Sequence, residues 1–255
     1  MKRMMLWLCA AVLAYGCFSV PAPQTRAQSK PESAETKPPV FEIEEYQFAL
    51  LKRGPKWTAE SSPEVDKLQA GHMANIQLMA RLGKLMAAGP LGKNDAGLAG
   101  VFIFKAPLDE AKTLAAEDPA IKAGRLAIDF YLWRGPKQIG VRLNEAYRQD
   151  PNTKMTMAKQ YLALLKRGDK WSNESTPATQ QLQTSHLWHI RRMLDAKKYL
   201  AAGPFGGNGD ILGIVVIDAS TLDDAKALAE ADPAVKAGRL RAEYVEWYCA
   251  KEVWP

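Results

Sequence analysis

Histidine is the side chain whose proton moves most readily near neutral pH. This chain of 255 residues has three, at His72, His186 and His189. An Asp-Pro pair follows two of them, Asp118-Pro119 after His72 and Asp232-Pro233 after His186. Aspartate before proline is a good helix-start pair, so these aspartates can also be read as caps. Trp57 and Trp171 sit in loops after Lys-Arg-Gly or close to it. There an aromatic can form a pocket wall or lid, or cover the edge of its own core. Gly89-Pro90 and Gly203-Pro204 can let a ligand approach backbone, or end a strand in a turn. No P-loop, no Gly-x-Gly-x-x-Gly after a strand, no Ser-His-Asp nucleophile motif and no Cys-centred site is present. His186 and His189 stand i,i+3 on one helix face, but two ligands without an acidic or cysteine cluster do not make a zinc pattern. His189 reads as a solvated residue or one incidental to the fold. Neither a metal nor a cofactor is expected.

These residues come in pairs because the chain is a tandem repeat. Leu50-Leu51-Lys52-Arg53-Gly54 returns as Leu164-Leu165-Lys166-Arg167-Gly168, displaced by 114 residues. The same displacement relates Trp57 to Trp171, Glu60 to Glu174, His72 to His186, Gly89-Pro90 to Gly203-Pro204 and Asp118-Pro119 to Asp232-Pro233. So many matches in register mark a duplicated unit of about ninety residues, the size of one small domain. Two copies with separate core patterns suit a pair of packed domains better than an open solenoid.

The elements that must position the histidines follow from periodicity. Residues 45–52 alternate and predict a strand ended by Arg53-Gly54-Pro55. Ser62-Pro63, with Glu64 and Asp66 behind it, starts a helix. Val65, Leu68, His72, Ile76 and Met79 place its apolar face at three- and four-residue spacing. Strands are expected at 84–90 and 100–104, a second helix from Leu108, a turn over 120–124, and a last strand over 125–133. Repeat two gives strands at 159–166, 199–203, 213–218 and 239–248, with helices at 177–199 and 222–231. The order β-α-β-β-α-β is the ferredoxin-like arrangement, so the class is α+β. Such a sheet has helices on one face and a bare apolar face on the other. Two copies can bury those bare faces together as an intramolecular dimeric α+β barrel, a pseudo-dimer within one chain.

The organisation reads as a signal peptide at 1–27, a disordered linker at 28–43, domain one at 44–134, a polar connector at 135–157 and domain two at 158–255. The connector carries a helical turn around Leu143–Gln149. Lys2 and Arg3 precede an apolar run from Met4 to Val20 that is too short to span a membrane. Thr25-Arg26-Ala27 offers a cleavage site after Ala27, and Gly16-Cys17 offers lipidation at Cys17 as the alternative. The expectation is an exported protein, periplasmic or extracellular, with no membrane span. Lys2, Arg3 and Arg26 leave with the signal and no acid does, so the formal net charge falls from +6 to +3. That charge is interspersed with acids, which is no nucleic-acid footprint. Cys9 and Cys17 fall in or beside the signal, leaving Cys249 alone, so it reads as a small apolar residue.

A helix with a single His, then Ala-Gly-Pro, a glycine-rich turn, Asp-Pro and Lys-Ala-Gly resembles the YCII-related (YciI-like) family over both repeats. The resemblance implies a dimeric α+β barrel whose proposed site pairs the helix His with the Asp of Asp-Pro. Here those are His72 with Asp118 and His186 with Asp232. Most members have no assigned reaction, and one branch is similar to enzymes that remove chloride from a chlorinated hydroxyquinol. A carboxylate on one imidazole nitrogen fixes the tautomer and makes the other nitrogen a better base. The implied function is cofactor-free acid-base chemistry, lyase- or dehydrohalogenase-like, on a small molecule, aromatic ones included. The alternative is a non-catalytic ligand-binding or structural module of the cell envelope, with the histidines as core fittings. A catalytic His must open onto an apolar pocket, whereas a structural one should be sealed.

Overall fold

A computed structural model describes residues 37–255. The signal peptide expected at 1–27, its cleavage at Ala27 and the lipidation option at Cys17 lie outside the described residues. So does most of the linker. The described chain runs β1 (Ile43–Arg53), α1 (Pro63–Arg81), β2 (Leu85–Pro90), β3 (Leu98–Phe104), α2 (Leu108–Ala116), α3 (Pro119–Lys122) and β4 (Leu126–Pro136). After α4 (Val141–Gln149) the pattern returns as β5 (Met157–Arg167), α5 (Pro177–Asp195), β6 (Tyr199–Pro204), β7 (Ile211–Ile217), α6 (Leu222–Glu230), α7 (Pro233–Lys236) and β8 (Leu240–Ala250). A 3-10 turn, Lys251–Val253, follows. No helix among the described residues is long and apolar enough to cross a membrane.

The long helices begin where the sequence signals place them. Ser62 Oγ accepts from the Val65 N–H, and Pro63 takes the first turn of α1. Thr176 caps α5 in the same way, with Thr179 returning the bond to the Thr176 N–H. The second helix stops earlier than periodicity suggests, at Asp195 rather than near 199. Lys197 turns the chain through the left-handed region at φ +55°, the place Gly83 holds in repeat one at φ +68°.

The two sheets have orders β2-β3-β1-β4 and β6-β7-β5-β8, every neighbouring pair antiparallel. Alternation along each strand separates two cores. Phe48, Leu50 and Trp133 meet Leu162, Ile214 and Trp247 between the sheets. The opposite faces lie under their own helices, Leu51 and Phe102 with Met79 in repeat one, and Leu165 and Val215 with Ile190 in repeat two. Cys249 is fully buried between the sheets, where loss of water pushes its thiol up to about 12. It is the apolar filler expected.

The sheets also join at their edges. Gly92 N–H donates to Glu246 O and Gly206 N–H donates to Leu132 O, both at 2.7 Å. Leu91 bridges to Trp247, and Phe205 to Trp133. These seams close the barrel and cover strand edges that would otherwise carry unpaired backbone groups. The expected polar connector is more than a spacer. Ile139, Leu143 and Asn144 are buried, and α4 packs on α1.

Candidate functional site

Helix α1 carries His72 toward the short α3, and α5 carries His186 toward α7. His72 Nδ1 lies 2.8 Å from Asp118 Oδ2, and His186 Nδ1 lies 2.6 Å from Asp232 Oδ2. A carboxylate can only accept, so Nδ1 carries the proton in each pair. Each aspartate has a second duty. Asp118 Oδ1 accepts from Ala120 N–H at 2.9 Å and Asp232 Oδ1 from Ala234 N–H at 2.8 Å, capping α3 and α7. The capping reading and the pairing reading of these aspartates therefore hold together.

Asp118 is fully buried, and His72 and His186 keep only 12% and 9% of their side-chain surface. Burial alone would push the Asp118 carboxyl up. Hydrogen bonds from His72, Ala120 N–H and Asn75, together with the charge of His72 when protonated, hold it below the usual carboxylate range. The imidazole of His72 lies parallel over the Phe102 ring, with centroids 5.9 Å apart. Among the described residues neither ring Nε2 has a hydrogen-bond partner, and neither is among the buried unpaired side-chain atoms.

Both histidines line cavities, of about 350 Å³ at His72 and about 420 Å³ at His186. These are mainly apolar and lie against the helix-bearing face of each sheet. Trp57, Gly89 and Pro90 line the first with His72, and Trp171, Gly203 and Pro204 line the second with His186. Two histidines, two tryptophans and two Gly-Pro pairs singled out in the sequence thus gather at two equivalent places, with Asp118 and Asp232 behind the histidines, while His189 lines neither cavity. The glycines have a further, architectural reason to be there. A Cβ on Gly89 would stand 1.9 Å from Tyr248 O, and one on Gly203 would stand 2.0 Å from Arg134 O. Neither a ligand approach nor a simple turn explains such contact. The barrel seam excludes any side chain.

One expectation is corrected. His189 is buried, not solvated: its Nε2 lies 3.1 Å from Tyr199 Oη and 3.2 Å from Leu228 O. Burial holds its ring below the ordinary histidine value. Asn75 fills its place in repeat one and donates to Asp118 Oδ2 at 3.3 Å. Sequence spacing pointed to neither Tyr199 nor Leu228, because both reach His189 from other elements. No group of three or more His, Cys, Asp or Glu placed to hold a metal exists among the described residues.

Residues 48–129 and 160–248 each match the YCII-related domain, and together they cover well over half of the chain. The chain belongs to the YCII-related family. Its fold is shared more widely. A chlorite dismutase variant from Candidatus Nitrospira defluvii aligns with TM-score 0.54 at 13% identity, covering 82% of this chain and 91% of that one. A structure described as a novel heme-binding protein from Thermus thermophilus aligns with TM-score 0.51 at 12% identity, covering 85% and 96%. At such identity the likeness is one of fold. No curated protein matches the sequence. In this YCII-related chain the two domain matches coincide with the two sheets, so each His-Asp pair sits inside one domain.

Proposed function

We propose that this YCII-related protein is exported, that it binds a small molecule in each half, aromatic ones included, and that it moves a proton on it without a cofactor. The observation that carries this reading is the unpartnered Nε2 of His72 and of His186 beside an apolar cavity, each ring held through Nδ1 by a buried aspartate. The aspartate fixes the tautomer that leaves Nε2 a lone pair, and it stabilises the imidazolium formed when that nitrogen accepts a proton. When Nε2 takes a proton from the carbon next to one that bears a leaving group, the C–H electron pair becomes a new double bond. The leaving group departs as an anion with the electrons of its own bond, which is lyase or dehydrohalogenase chemistry. Phe102, stacked with His72, would favour a flat substrate.

Thermal shift against hydroxylated aromatics and small acids tests this reading. The expected result is a ligand that raises the melting temperature of the wild type and not that of His72→Ala/His186→Ala. A variant that melts several degrees lower, with no ligand response from either protein, makes the histidines core fittings and removes the catalytic reading.

A second reading rests on the same atoms. An imidazole oriented through Nδ1 by a carboxylate is also suited to hold a haem, and the Thermus protein of similar fold is described as heme-binding. His186, with Asp232 behind it, would hold such a group, which would supply redox or gas-binding chemistry. Haemin titration decides: a Soret shift lost in His186→Ala supports this reading, and its absence leaves the acid-base one.

A further inference from the structure

Each cavity has an arginine-flanked indole beside it. The Arg53 guanidinium lies 4.2 Å and that of Arg125 5.7 Å from the ring centre of Trp57. Across the repeat, Arg239 lies 4.5 Å and Arg167 5.5 Å from the ring centre of Trp171. Both indoles line the cavities that hold the histidines, and Arg125 lines the first one itself. None of the four guanidiniums makes an ion pair among the described residues. Arg125 donates only to Thr58, and Arg167 to Gly209 O. The neighbouring lysines differ, since Lys52 pairs with Asp129 and Lys166 with Glu243. Acids are thus available along these strands, and yet these four arginines stay without one among the described residues, whereas Arg134, which lines the second cavity, pairs with Glu45 at 3.2 Å.

Stacking on the indole helps hold each guanidinium in place without an acid partner, and the protein groups that Arg125 and Arg167 meet, Thr58 and Gly209 O, carry no charge to neutralise them. Two acid-free guanidiniums on an indole that itself lines an apolar cavity favour one charge type. We propose that both cavities take an amphiphilic organic anion, its apolar body against the sheet and its acidic group at Arg53 and Arg125 or at Arg167 and Arg239. This rests on the proposed binding role of the cavities and adds the substrate class. It also assigns the four arginines and two tryptophans to recognition, apart from the His-Asp pairs. A fixed guanidinium fork matches a carboxylate or sulfonate in a way that a lysine at the same place would not.

Two fluorescent probes with one apolar body test the proposal, 1-anilinonaphthalene-8-sulfonate and its uncharged parent N-phenyl-1-naphthylamine. The sulfonate is expected to bind at least about tenfold more tightly than the parent, an advantage that shrinks with added salt. Arg53→Gln/Arg125→Gln should remove that advantage in one half and Arg167→Gln/Arg239→Gln in the other, with parent binding unchanged. Arg→Lys at the same positions should retain part of it, so a melting-temperature change common to Gln and Lys variants separates folding from recognition. Equal affinity of the two probes for the wild type overturns the anion proposal and leaves the cavities as binding sites. Binding of neither probe overturns the proposal and the binding role together.

Discussion

The His72 cavity and the His186 cavity are built from the same positions of the repeat, yet different segments close them. Phe41 and Met155 occupy equivalent places ahead of β1 and β5, 114 residues apart. Each crosses to the other half: Phe41 lines the His186 cavity and Met155 the His72 cavity. The last residues of the expected linker take part, because Trp188 Nε1 donates to Lys37 O at 2.8 Å and Arg191 lies 4.8 Å over the Phe41 ring. The first cavity has an additional wall from α4, through Leu143 and Tyr147, while the second has Glu42 and Arg134. Behind the histidines, Asp118 accepts three hydrogen bonds and Asp232 two, the difference being Asn75 against His189. Duplication fixed the shared wall and the His-Asp geometry. The segments outside the repeat and one substitution made the halves unequal, so they need not take the same molecule.

The largest test strikes what the halves share. Gly89→Ala and Gly203→Ala should each cost about 3 kcal/mol or more in urea unfolding, because the new methyl meets a carbonyl across the seam. A loss in only one of the two would break the equivalence of the seams. Next comes the buried charge. Asp118→Asn should cost about 2 kcal/mol, and Asp232→Asn less, since fewer charge-assisted bonds converge there. Asp118 is held below its ordinary range, so its contribution is full above the ordinary carboxylate value and is lost as pH falls through the lowered one. Asp118→Asn should therefore flatten the acid limb of the stability profile, and an unchanged limb refutes the assignment.

A smaller gain is expected from Lys197→Gly, about 1 kcal/mol, by relieving a left-handed residue that repeat one supplies as Gly83. No gain in melting temperature would mean that Lys197 has a compensating contact. The smallest effect concerns pH alone. His189 is held below its ordinary value of 6.5, so the unfolded chain takes up its proton first as pH falls, and stability drops below about that pH. His189→Asn, the residue of repeat one, should remove this component, measured as the ratio of unfolding free energies at pH 7 and pH 5. If the ratio does not change, the buried imidazole does not titrate as its surroundings require.

Strand alternation, the Ser62-Pro63 and Thr176-Pro177 starts and the register of the repeat determined the βαββαβ order and the face-to-face pairing of the sheets. Those signals are local, or they repeat at a fixed displacement, so one dimension suffices to read them. The family resemblance added the His-Asp partners. By sequence alone Trp57 and Trp171 stood between a pocket wall and a cover for the core edge, and it is the structure that puts both in the cavity linings. Other features needed three dimensions. The seam that forbids a side chain at Gly89 and Gly203 forms between strands far apart in the chain. The crossing of Phe41 and Met155 and the docking of α4 depend on where the other half lies. His189 belongs to Tyr199 and Leu228, although its sequence spacing pointed to His186. Periodicity tells a side chain which face of its own element to occupy. Only the packed barrel decides what stands opposite, because burial and hydrogen bonding are set by elements the local sequence does not contain.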